Sequence, residues 1–355
     1  MPGTSIREDL VRYRLLGRSG LRVSELALGT MTFGEDWGWG ASEAESRSMF
    51  DAFVEAGGNF IDTANNYTAG TSERYVGKFI AAERDRFVVA TKYTLMPVLA
   101  RDNDDPNAGG NSRKSMRRSV EGSLRNLGTD HIDLLWVHTW DATTPVDEVM
   151  RGLDDLVRAG KVLYVGFSDT PAWVVARADT LAELRGWSRV VALQLPYSLA
   201  RRDIERELLP MASELDMAVL VWGLLQGGAL TGKYARETGE PRRYEAKNVP
   251  AKTLEIADLI VQVARDADCT PAQVALAWVR SRPRHTLIPI LGARNAAQLR
   301  EQLGCLDLHL SPEQRARLDA ATAIDLGFPS TFIESSQVRT LMFGNTFDKL
   351  QRRNT

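Results

Sequence analysis

Cysteine, histidine and long apolar runs are what this 355-residue sequence has least of. Its two cysteines, Cys269 and Cys305, are too few for a disulfide framework and lack metal-ligand spacing to any of the four histidines. Both thiols read as reduced, and no metal is expected. No run approaches the ~18 apolar residues of a membrane span, and Met1 to Tyr13 lacks the apolar core of a secretory signal. The expectation is a soluble, cytoplasmic protein. Neither sign of charge dominates: the formal net charge is -2, and basic residues are interspersed with acids, which disfavours a nucleic-acid partner.

Two nucleotide-binding signatures are also missing. No G-x-G-x-x-G opens a helix after a strand, so a Rossmann cofactor site is unsupported. Gly227 to Lys233 has the spacing of a phosphate-binding P-loop, but Tyr234 stands where the magnesium-binding hydroxyl is needed.

What is abundant is apolar side chain, 44% of the residues, enough to bury a large core in a single domain spanning 1–355. Eight short runs rich in Val, Ile and Leu recur between helical patterns: Glu25 to Leu28, Asn59 to Ile61, Phe87 to Ala90, Ile132 to Val137, Val162 to Phe167, Val190 to Leu195, Ala218 to Val221 and Thr286 to Leu291. They lack strict polar alternation, as expected of parallel strands covered on both faces. Eight such units predict an α/β fold, a closed (β/α)8 TIM barrel over about residues 13–310.

Helix signals agree. Ser42 with Glu45 predicts a capping box ahead of Phe50, Phe53 and Val54, and Met116, Val120, Leu124 and Leu127 share a face ahead of Gly128. Thr170-Pro171 and Thr270-Pro271 each place a cap before a proline. Tyr13 to Leu16, a turn at Gly17 to Gly20 and Leu21 to Val23 predict a hairpin that plugs the N-terminal mouth. Ser311 to Ala321 predicts an extra capped helix, and the remaining tail to residue 355 carries Phe328, Phe332, Met342 and Phe343, suited to cover the site or pair subunits. Two long connections, Tyr93 to Ser112 and Leu224 to Pro250, are expected to bind something.

The chemistry sits at strand ends. Asp62, Lys92 and His138 each close an apolar run and Tyr67 follows the first, so a barrel brings all four to its C-terminal mouth. Reducing a carbonyl needs a proton donor, and a phenol of pKa near 10 is sluggish unless a neighbouring ammonium makes it more acidic. Lys92 fits that part, with Asp62 to hold it and a neutral His138 to donate to the substrate oxygen. Each residue alone has an ordinary structural explanation; the four together point to catalysis. Trp37, Trp39, Trp140 and Trp173 follow strands and are candidates to line a substrate pocket.

Asn59-Phe60-Ile61-Asp62-Thr63-Ala64 with Tyr67, Ala90-Thr91-Lys92 and Asp133-Leu134-Leu135-Trp136-Val137-His138 resemble the Asp, Tyr, Lys and His set of the aldo-keto reductase superfamily, over about Tyr13 to Leu310. The resemblance implies an NADPH-dependent oxidoreductase that reduces aldehyde or ketone groups of small molecules, reversibly, with Tyr67 as the acid. It extends to Gly29-Thr30-Met31, Gly166-Phe167-Ser168-Asp169, Gln194 with Tyr197, Trp222 to Lys233, and Gly292-Ala293-Arg294 with Gln298, segments similar to those that hold NADPH. By resemblance, Ser168 and Gln194 bind the carboxamide and Tyr197 stacks on the nicotinamide. Trp222, Gly223, Leu224, Leu225, Gln226 and Gly228 wrap the pyrophosphate, and Lys233 closes that clamp. Glu301 and Gln302 complete the cofactor set with Gln298. Arg294 precedes a predicted helix whose first-turn N–H groups can hold an anion, so a 2′-phosphate fits there.

Three residues depart from the usual pattern: Asp169 for asparagine, Gly223 for serine and Gln302 for asparagine. Two rival readings belong to the same superfamily: a nicotinamide-binding regulatory subunit of the channel β-subunit type, and a sugar or secondary-alcohol dehydrogenase working oxidatively. The natural substrate, physiological direction and oligomeric state are not legible.

Overall fold

All eight apolar runs form strands, and each lies parallel to its neighbours. The computed structural model describes residues 11–96, 104–234, 245, 248–282 and 285–350. Within these, β3 (Ala27–Gly29), β4 (Phe60–Asp62), β5 (Val88–Tyr93), β6 (Ile132–Val137), β7 (Val162–Ser168), β8 (Val190–Pro196), β9 (Ala218–Trp222) and β10 (Leu287–Leu291) close a barrel in chain order, β10 pairing with β3. The hairpin forms as β1 (Tyr13–Leu15) and β2 (Arg22–Ser24), an antiparallel pair whose Leu16 and Val23 are wholly buried.

Helices α1 (Glu43–Glu55), α2 (Thr71–Ile80), α3 (Arg113–Leu127), α4 (Val146–Arg158), α5 (Ala172–Arg185) and α6 (Leu208–Glu214) separate successive strands, while α7 (Ala251–Asp266) and α8 (Pro271–Arg280) both precede β10. Then come α9 (Ala296–Leu303), α10 (Pro312–Ala321), α11 (Ser330–Glu334) and α12 (Ser336–Phe343). The larger core lies between strands and helices. A second cluster, Leu16, Val23, Ala27, Phe60, Val88, Ala90, Leu134, Trp136, Ala192, Ala218, Leu220 and Ile288 among others, fills the barrel above the hairpin plug.

Because side chains alternate along a strand, the inward row that contains Phe60, Ala90, Leu134, Trp136, Ala192 and Leu220 continues to Asp62, Lys92, His138, Gln194 and Trp222 at the C-terminal rim. The register fixes their heights: Asp62 pairs with Ala90, Lys92 with Trp136, and Ser168 with Gln194.

Two cap expectations are corrected. The Ser42 side chain caps α1 through the Glu45 N–H, but the Glu45 carboxylate turns away and accepts from the Ala296 N–H at 2.7 Å. Thr170 does not cap α5: its hydroxyl donates to the Ser168 carbonyl at 2.8 Å. Thr270 and Ser311 form full capping boxes with Gln273 and Gln314. In the tail, α11 and α12 bury none of their residues, and Phe328, Phe332 and Met342 are exposed. The middles of both long connections, 97–103 and most of 235–247, lie outside the described residues, as do 1–10. Among the described residues, no helix is long and apolar enough to cross a membrane, and no group of His, Cys, Asp and Glu is arranged to hold a metal.

Candidate active site

At the rim the inward rows deliver charge into a closed apolar interior. The Lys92 ammonium, fully buried, donates to Asp62 Oδ2 at 2.5 Å, to the Thr63 carbonyl at 2.8 Å and to the Tyr67 hydroxyl at 3.1 Å. All three ammonium protons therefore have partners, as burial of a charge requires. Asp62 Oδ1 accepts from Gln194 Nε2 at 2.8 Å and from the Trp136 indole N–H at 3.1 Å. The His138 ring lies edge-on to Tyr67, centroids 6.1 Å apart, and Trp37 meets Tyr67 likewise at 6.4 Å. The four residues singled out for catalysis thus lie together, Asp62, Lys92 and Tyr67 in one hydrogen-bonded chain and His138 against the phenol ring.

The electrostatics differ from expectation in one respect. Burial pushes the Tyr67 phenol above its ordinary value; the Lys92 ammonium pulls down and the Asp62 charge pushes up. Lys92 acts in the expected direction but does not prevail over desolvation, so Tyr67 is a fully protonated donor at neutral pH. Burial opposes the Lys92 charge, yet Asp62 and then Tyr67 outweigh it and hold the proton above the usual lysine range. Burial, with Lys92 second, depresses His138 to about 3, so the imidazole is neutral.

That depression carries a stability consequence. An unfolded His138 titrates near its ordinary 6.5 and the folded one near 3, so the unfolded chain binds the extra proton between these values. Folding should lose up to about 1.4 kcal/mol per pH unit from this residue as pH falls below 6.5, with the loss complete near 3. His138→Gln should flatten the decline of denaturant-measured stability between about pH 6.5 and 5, above the range of ordinary carboxyls. An unchanged slope would contradict a buried neutral imidazole.

The mouth is held together by residues the sequence reading passed over. Asn111 and Asp141 exchange two hydrogen bonds, Asn111 N–H to Asp141 Oδ2 and Asp141 N–H to Asn111 Oδ1, both 2.7 Å. Asn111 also donates to Thr94 and to the Thr139 carbonyl, tying the segment before α3 to the loop after His138. Backbone N–H groups of Asn111, Thr144 and Thr143 hold Asp141 at about 2 despite its partial burial. An Asx pattern at Asp141, two and three residues before Thr143 and Thr144, was the available signal.

The predicted cofactor residues divide. Asp169 takes a left-handed φ of 41° at the end of β7, and its N–H donates to the Gln194 carbonyl. Partial enclosure of its carboxyl, against the Trp222 indole, Arg201 and Lys92, raises it to about 6, although the residue as a whole is exposed. After Trp222, positive φ at Gly223, Gln226, Gly227, Gly228 and Gly232 turns the loop back on itself. A Cβ at Gly228 would meet the Lys233 Nζ at 2.7 Å, so Lys233 lies across that glycine. Arg294 and Gln298 are exposed on the α9 side, and the Gln298 side-chain Oε1 accepts from the Arg294 backbone N–H.

Several assignments need correction. Tyr197 is wholly buried: its ring stacks on Trp278 at 5.3 Å and its hydroxyl donates to Glu205, so no face is open for a nicotinamide. Thr30 is likewise enclosed, its hydroxyl engaged with the Asp62 carbonyl and Ser72. Gln302 is buried and donates to the Gly292 carbonyl, bracing the turn. At the α9 N-terminus the Ala296 and Gln298 N–H groups already serve Glu45 and the Asn295 cap, so fewer are free for an anion than the sequence suggested. Trp37 and Trp39 pack together beside Tyr67, but Trp140 packs against the outer core and Trp173 is 63% exposed. Burial pushes both thiols up, Cys305 to about 12, which makes them inert.

A closed parallel barrel with a phenol, ammonium, carboxylate and neutral imidazole at its C-terminal rim defines an oxidoreductase of the carbonyl-reducing barrel class. Residues 25–323 match the sequence model of the Aldo/keto reductase family, and the chain belongs to that family. It is 40% identical to a norsolorinic acid reductase of Aspergillus flavus over 330 residues, 90% of this chain and 84% of that one. It is 37% identical to an aryl-alcohol dehydrogenase [NADP(+)] of Phanerodontia chrysosporium over 344 residues, 90% of this chain and 88% of the relative. An aryl-alcohol dehydrogenase of Pestalotiopsis microspora is also 37% identical, over 339 residues, 94% of this chain and 88% of that one.

Proposed function

We propose that the protein reduces aromatic aldehydes or ketones to alcohols with NADPH, and oxidises the alcohols in reverse. The observation that carries this is the hydrogen-bonded chain from Asp62 through Lys92 to Tyr67, with His138 against the phenol. The bound nicotinamide would supply the hydride. Tyr67 gives its hydroxyl proton to the carbonyl oxygen as negative charge develops, and Lys92 stabilises the phenolate left behind. His138, kept neutral, donates a hydrogen bond that orients the same oxygen. In the reverse direction the phenolate, stabilised by Lys92, takes the alcohol proton.

The residues fit the cofactor. With Tyr197 enclosed, Trp222, 36% exposed at the end of β9, is the aromatic open to stack on the nicotinamide. The left-handed turns between Gly223 and Gly232 fold the loop back on itself after Trp222, where the N–H groups of Gln226, Gly228 and Leu230 serve carbonyls of the loop itself, so Lys233, lying across Gly228, is the group suited to a pyrophosphate. Arg294 is the group suited to a 2′-phosphate. Since Glu45 occupies part of the neighbouring helix end, Arg294→Ala should weaken NADPH about ten- to hundredfold, the worth of a hydrogen bond to a charged group. NADH should be nearly unaffected. Equal losses in titrations of both nucleotides would refute the assignment.

Aromatic substrates are favoured by the Trp37 and Trp39 rings beside Tyr67 and by the names of the relatives. The test is NADPH oxidation by the purified protein across a panel of aryl aldehydes, aryl ketones and aliphatic carbonyls of matched size. Turnover with aryl compounds at higher kcat/KM supports the reading; none with any carbonyl rejects it.

A further inference from the structure

Asp62 holds Lys92 with one oxygen, and what holds its other oxygen decides where that pair sits. Two neutral donors reach Oδ1: the Gln194 amide and the Trp136 indole N–H. They differ in place. Gln194 stands at the rim, paired with Ser168, its amide on a side chain of rotatable single bonds. Trp136 is fully buried in the barrel interior, one pair below the rim, and its ring lies flat over β7: a Cβ at Gly166 would stand 2.4 Å from Trp136 Cζ3. Glycine at 166 is what admits the indole, which is packed against the β7 backbone there.

We infer that Trp136 is a positioning residue of the catalytic site, whose indole N–H fixes the Asp62 carboxylate so that Lys92 stays on the Tyr67 hydroxyl while Gln194 is free to leave Asp62 for a bound ligand. The physical case is a count of partners. A buried carboxylate accepts several hydrogen bonds, and each lost one weakens the charged form. Lys92 keeps its proton in an apolar interior because Asp62 is charged and close. If Gln194 turns to a cofactor, Trp136 remains as the side-chain donor on Oδ1, held in the barrel interior. The acidity of Tyr67 then depends on a residue three hydrogen bonds removed from it: indole to carboxylate, carboxylate to ammonium, ammonium to phenol.

The inference rests on the proposed reductase reading, but part of its test does not. Trp136→Phe keeps an aromatic ring and removes the N–H. Its kcat should fall about ten- to hundredfold, as for loss of a hydrogen bond to a charged group, with carbonyl KM changed by less than about twofold. In the cofactor-free protein, the tyrosinate absorbance that disappears in Tyr67→Phe reports Tyr67 itself, and its midpoint should move to higher pH in Trp136→Phe. Should phenylalanine fail to fold, 3-benzothienylalanine placed at 136, an indole isostere without the N–H, should give both changes at the wild-type Tm. Wild-type kcat and midpoint in the isosteric variant, or a kcat loss that only follows the folded fraction, overturns the inference. A wild-type protein that turns over no carbonyl refutes the reductase reading, and the midpoint shift still decides the role of Trp136.

Discussion

Tyr67→Phe is expected to lower kcat by about 10²- to 10⁴-fold, the range for a positioned general acid, and to leave affinity for NADPH unchanged. The phenyl ring keeps its edge contacts with His138 and Trp37, so the variant loses one oxygen and little packing. That oxygen receives a hydrogen bond from Lys92, and in the proposed mechanism its proton passes to the carbonyl. Its loss should therefore appear in kcat and kcat/KM together, the pattern of an interaction made in the transition state. The check is steady-state kinetics on an aryl aldehyde with fluorescence titration of the nucleotide. Near-normal turnover would remove Tyr67 from the mechanism; a matching loss of nucleotide affinity would make it a binding residue.

Lys92→Met should be costly twice over. Methionine fills similar space but leaves the Asp62 carboxylate buried without its cation. Breaking a buried pair from one side typically costs about 3–5 kcal/mol, because the stranded charge cannot return to water. Denaturant unfolding should show that loss, and turnover should fall about 10²-fold or more as the phenolate loses its counter-charge. Pairing Lys92→Met with Asp62→Asn separates the two costs. The double variant should recover much of the stability, since no charge is stranded, while turnover stays low. A single variant as stable as wild type would mean that Asp62 is not held as an ion.

Much of this was readable from the chain because the barrel is written in apolar runs. Glu25 to Leu28 through Thr286 to Leu291 each form a strand, and Asp62, Lys92 and His138 are legible as the ionisable groups that close three of these runs. What escaped depends on neighbours far away in sequence. Tyr197 looked available until its partner Trp278, on α8, was seen to cover it. Glu45 had the spacing of a capping box, but the competing donor, Ala296, lies 251 residues away. The net rise of the Tyr67 pKa escaped for another reason: charge order can be read from residue types, whereas the desolvation that outweighs it is set by how tightly the interior closes. In the sequence Trp136 is only one residue of a motif, since an indole in an apolar strand gives no sign of which acid its N–H will find.

The alternation of side chains along the strands makes the packing and the chemistry inseparable. Slipping β4, β5 or β8 by one position against its neighbours would send Asp62, Lys92 or Gln194 out among the helices and bring Ile61, Tyr93 or Leu193 of the outer core into the mouth. Selection for a dry, well-filled interior thus also guards the reactive groups against misplacement, and new specificities have to arise in the connecting loops, which can change length without disturbing the count.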